Sequence, residues 1–124
     1  DMSTRATYRF IPNDRRFRPA VTIYIHHDGY PEGAAGYLQD AYNAETFIRK
    51  NNRAEITASH EVHGDTEYQY DIHQKTGIRA FERRGYGEDV VWNKFFDGPV
   101  EDFVETYQNT PIAKAINSKA INSN

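Results

Sequence analysis

Alternation of apolar and polar side chains is clearest over residues 20–38, AVTIYIHHDGYPEGAAGYL, where Val21, Ile23 and Ile25 interleave with Thr22, Tyr24 and His26. A period of two puts each set on one face of a strand. The β-branched and aromatic residues of the run fit a pleated, half-buried surface. Asp28-Gly29 interrupts it, since glycine takes the positive φ that tight turns often need. Pro31 suits a first helical position, and Glu32 stands where the helix dipole favours a carboxylate. The segment reads strand, turn, helix. The same order recurs at residues 90–102, with a strand over 90–96, Asp97-Gly98 as a turn, and Pro99, Glu101 and Asp102 opening a helix.

Three further stretches obey the period of two. Residues 4–11 set Ala6, Tyr8 and Phe10 opposite Arg5, Thr7 and Arg9, predicting a strand that pairs antiparallel with the first across the arginine-rich stretch 12–19. Residues 67–74 set Tyr68, Tyr70 and Ile72 opposite Glu67, Gln69, Asp71 and His73; Lys75-Thr76-Gly77 has the length and glycine of a hairpin loop, and 78–83 return. With 90–96 these strands make an antiparallel meander. Helical spacing appears at Ala35, Leu38 and Tyr42, at Phe47 and Ile48 behind the N-cap candidate Asn43, and at Val100, Phe103, Val104 and Tyr107. Residues 53–65, RAEITASHEVHGD, follow neither period.

The fold class predicted is α+β: an antiparallel sheet of about five strands with helices packed on one face, as a single domain over 1–110. A polar tail over 111–124, KAINSKAINSN from Lys114, carries little apolar surface and needs the domain or a neighbouring chain to order it. One sheet face collects Tyr8, Phe10, Val21, Ile23, Ile25, Tyr68, Tyr70 and Ile72. The other, open and polar, collects Arg5, Arg9, Thr22, Tyr24, His26, Glu67, Gln69, Asp71 and His73.

Composition narrows the function classes. At 124 residues the chain holds one modest core, and a mean hydropathy of −0.85 leaves much of the burial to aromatic side chains, tyrosine above all. No cysteine is present, which removes disulfides, thiolate catalysis and cysteine-based zinc sites. No apolar run is long enough to span a membrane, so the expectation is a cytoplasmic protein. A net charge of −3 argues against nucleic acid as a partner, although Arg5, Arg9, Arg15, Arg16 and Arg18 crowd the first twenty residues and would be the patch if one existed.

Four of the five histidines fall in two clusters, His26-His27-Asp28 and His60-Glu61-x-His63-x-Asp65. His26, His27, Asp28, His60 and Glu61 are the candidates for acid–base catalysis, because an imidazole near neutrality needs only a well-held carboxylate beside it. His27, His60, His63 and Asp65 are the residues that would ligate a metal if one bound, but HEVH lacks the i, i+4 spacing of the zinc helix, and no cofactor is predicted. No nucleophile elbow, P-loop or dinucleotide fingerprint occurs. Arg83-Arg84-Gly85-Tyr86-Gly87 reads as a turn between strands.

The segments STRATYRF, IYIHHDGYPEGAA and HGDTEYQY together resemble a group of small bacterial and phage proteins in which a Thr-Arg opening precedes a His-x-Asp-Gly-Tyr stretch. The resemblance covers residues 3–70, implies a mobile genetic element as source, and carries no activity. The expected role is therefore binding of a protein or a small polar ligand through the open sheet face and the Asp28 junction, using Arg9, Tyr24, His26, Asp28, Tyr30 and His73. An exposed meander edge and the tail favour a homodimer. An enzyme built on the two histidine clusters is the alternative.

Overall fold

The computed structural model describes residues 4–14, 16, 18–39, 41, 43–51, 53–74 and 77–108; Arg15, Tyr42, Lys75, Thr76 and the expected tail lie outside them. The described chain runs β1 (Ala6–Ile11), β2 (Val21–Ile25), α1 (Pro31–Leu38), α2 (Ala44–Lys50), β3 (Glu55–Thr57), β4 (Tyr68–His73), β5 (Gly77–Arg84), β6 (Val91–Gly98) and α3 (Val100–Gln108), with single 3-10 turns at His60–Val62 and Gly87–Asp89. The strands form one sheet in the order β3-β2-β1-β4-β5-β6. It is α+β and mostly antiparallel, but mixed: β1 pairs antiparallel with β2 and parallel with β4. β3 pairs antiparallel with β2 and so runs the same way as β1; residues 58–67 then carry the chain back along the sheet, so β4 enters alongside β1 in the same direction, which a hairpin cannot do.

Register keeps each face intact. Tyr8 stands beside Ile23 on one side and Tyr70 on the other, while Arg9 stands beside Thr22 and Asp71. The first set, with Ala6, Phe10, Ile25, Ile72, Ile78 and Ala80, joins Ala34, Ala35, Leu38, Phe47, Phe103 and Val104 from the helices in one core. Tyr8 stacks on Tyr70 at 5.0 Å and 17° and touches Phe47 at 4.8 Å; Phe103 meets Phe96 edge-on at 5.2 Å. Offset and edge-on rings of this kind add to the stabilisation from area alone.

Local sequence explains the helix ends. The Asn43 side chain accepts from the Thr46 N–H at 3.0 Å and caps α2, as its position predicts. At the β2–α1 junction it is Asp28, not Gly29, that takes the positive φ, 59°. Gly29 serves space instead: a Cβ there would lie 2.5 Å from the Ala6 Cβ, and one at Gly33 would lie 1.8 Å from the Asp28 carbonyl oxygen. Asp97-Gly98 departs from the expected turn. Both residues pair with β5, Asp97 opposite Arg79 and Gly98 opposite Ile78, and the chain bends only at Pro99.

Candidate functional site

Among the described residues no α-helix covers the second sheet face, yet its centre is closed rather than open. The aperiodic stretch 53–65 supplies β3 on the sheet edge and then a 3-10 turn that lies across β1. His60 fastens that turn. Its Nε2 is 2.8 Å from Asp71 Oδ1 and its Nδ1 2.6 Å from Thr7 Oγ1. A carboxylate only accepts, so Nε2 carries the proton and, in the neutral ring, the Thr7 hydroxyl donates to Nδ1. Thr7 is 0% exposed and His60 7%, so this Thr–His–Asp series is a buried clamp whose hydroxyl no substrate can reach.

A second knot sits beside it on β2. The Tyr24 hydroxyl donates to both carboxylate oxygens of Asp65 at 3.0 Å, and Arg5 Nε lies 3.2 Å from Asp65 Oδ2. The Tyr24 ring stacks on His63 at 3.7 Å and 8°, and His26 meets its edge at 4.6 Å. Burial first, then the bond to Asp65, pushes the Tyr24 hydroxyl up to about 12. His26 pairs in turn with Glu55 of β3. The two histidine clusters thus approach each other across Tyr24 without converging, and among the described residues no three of His, Asp or Glu are grouped to hold a metal ion.

Next to the clamp the face opens into a cavity of about 340 Å³, lined by Arg9, Pro19, Ala20, Thr22, Ala58, Ser59, His60 and Glu61. Arg9 is half-buried in its wall, and its guanidinium makes no hydrogen bond or ion pair with any described residue, because its cross-strand neighbour Asp71 is held by His60. Glu61 is exposed at the rim. Hydrogen bonds from its own backbone and from Ser59, with Arg9 and His60 adding attraction, hold its carboxyl below the usual range.

The remaining candidates lie elsewhere. The Asp28 carboxylate accepts from Tyr30 at 2.9 Å at the start of α1, and His27 uses its carbonyl to accept from Tyr37 at 3.4 Å. Close by, the Tyr8 hydroxyl is fully buried and has no hydrogen-bond partner among the described residues. His73 is at the far end of β4, opposite Gly77. Arg5 and Arg16, two of the N-terminal arginines, pair with Asp65 and Asp14.

Thr7, Thr22, Ser59 and Asp71 belong to the site although they were not among the candidates. The period of two had placed Thr7, Thr22 and Asp71 on Arg9's face, but the loop that meets them has no period to read. No family model, no curated protein and no solved structure matches this chain.

Proposed function

We propose that this chain is a non-catalytic binding protein that holds a small polar ligand on its helix-free sheet face, an oxyanion of the ligand resting on Arg9. The observation that carries the reading is the unspent guanidinium: a half-buried arginine that makes no hydrogen bond or ion pair with the described residues, in the wall of a cavity of about 340 Å³. Its planar fork of N–H donors matches a carboxylate or phosphate in two parallel bonds. The Thr22 hydroxyl offers a further bond, and Glu61 at the rim favours a ligand that also carries a positive group. Binding rather than turnover is supported by the clamp, since both His60 nitrogens are engaged and neither is offered to a substrate.

The reading extends to a cytoplasmic homodimer joined at the sheet border, where β6 presents eight residues and Val91 is 62% exposed. A bare edge of that length pairs readily with another strand. Light scattering on a sizing column tests it, and a monomer at all concentrations would remove the dimer without touching the ligand site.

For the ligand, thermal unfolding is followed with inorganic phosphate, acetate, succinate and glutamate in turn. The expected result is a concentration-dependent rise in Tm with at least one of them, lost in Arg9→Met. Equal rises in both proteins would remove Arg9 from the site.

A further inference from the structure

A second cavity, of about 310 Å³, opens where the start of β4 meets the end of β5, and its lining differs in kind: three tyrosines, Tyr30, Tyr68 and Tyr86, two glutamates, Glu67 and Glu82, and Arg83. We propose that it binds an organic ammonium cation, either free or carried on a lysine side chain. The face of a tyrosine ring is the negative end of its quadrupole and attracts a cation within about 6 Å of the centroid. One ring here already does so, for the Arg83 guanidinium carbon lies 5.0 Å from the Tyr86 centroid.

The carboxylates are available for the same charge. Glu67 is exposed, and its carboxylate forms no hydrogen bond or ion pair with any described residue, its bonds to Arg5 and Arg83 being made by the backbone. Glu82 spends only Oε1, on Arg84 at 2.9 Å and Asn93 at 3.2 Å. Their field is felt by the neighbouring hydroxyls: burial first, then Glu82, Glu67 and Glu32, raises the Tyr68 hydroxyl, and burial with Glu32 and Glu82 raises Tyr107. Tyrosines beside two carboxylates fit an alkylated ammonium better than a metal ion, which would have no converging oxygen set among the described residues. Tyr86 is 78% exposed, so a bound ammonium would compete with the Arg83 guanidinium for its ring.

The test is a series of amide NMR titrations of the full chain with choline, with N-acetyl-lysine methylamide and with 3,3-dimethylbutanol, the neutral isostere of choline. At least one cation should shift the amides of Glu67, Tyr68, Gly85 and Tyr86 saturably, and the neutral alcohol should not. The tighter of the two cations identifies the source. Tyr86→Leu should weaken binding roughly three- to thirtyfold, Tyr86→Phe should leave it nearly unchanged, and Glu67→Gln should weaken it severalfold. All three variants alter exposed side chains, so the fold is retained. Absence of saturable shifts with either cation, or equal binding of the neutral isostere, overturns the proposal.

Discussion

Adjacent residues of β1 belong to two layers built on different principles. Tyr8 points into the helix-covered layer, where it touches Phe47 and Tyr70 and its hydroxyl has no hydrogen-bond partner among the described residues. Thr7 points the other way, into a layer joined by directed bonds through His60 and Asp71. The first layer is held by area and shape, which are tolerant of an idle polar atom. The second is held by counted partners, so a group left over there, as Arg9 is, has bonding capacity to give to something outside the chain.

The contrast is broken most severely by Phe103→Ala, which empties the middle of the aromatic layer and should cost about 3–5 kcal/mol in chemical denaturation. On the other face His60→Ala leaves Thr7 and Asp71 without their partner, and a loss of about 1–3 kcal/mol is expected, with faster amide exchange confined to residues 58–66. A loss at His60 as large as that at Phe103 would mean that the clamp is part of the main core. Tyr8→Phe sharpens the comparison in the opposite sense. Removing a buried hydroxyl that bonds to nothing should be neutral or stabilising by up to about 1 kcal/mol, whereas a clear loss would reveal a partner. Arg9→Met should move stability by less than about 0.5 kcal/mol, its effect being on ligand alone.

Alkaline pH acts on both layers at once. Burial raises Tyr8 and Tyr70 well above 10, and Tyr24 and Tyr37 are pushed up to about 12. The folded protein keeps protons that the unfolded chain releases above pH 10. Stability is therefore complete below pH 10 and falls as the pH rises toward and through 12. Tyrosinate absorbance and loss of ellipticity should then coincide; early, separate titration of these tyrosines would show them accessible.

The apolar layer was legible because its elements announce their periods. Phe103 at helical spacing and Tyr8, Ile23 and Tyr70 at strand spacing each fall where the pattern puts them. Two features resisted. Nothing in a strand's own sequence states its direction, so the parallel pairing of β1 with β4 was not visible. The polar layer depends on contacts between distant, aperiodic segments, with Thr7 meeting His60 across 53 residues, and a loop without a period gives no register. The open face predicted around Tyr24 is in fact 2% exposed at that residue for the same reason. The Asp97-Gly98 dipeptide misled because turn residues were read without their strand partners, Arg79 and Ile78.

The reading of Arg9 as a ligand anchor is tested most directly by isothermal titration of the anion that raises Tm most, against wild-type protein, Arg9→Lys and Arg9→Met. The account predicts saturable binding to wild type at one site per chain. Lysine should weaken it and methionine should weaken it by roughly tenfold or more, since a charge-assisted bidentate bond is lost. Equal affinity in wild type and Arg9→Met would contradict it.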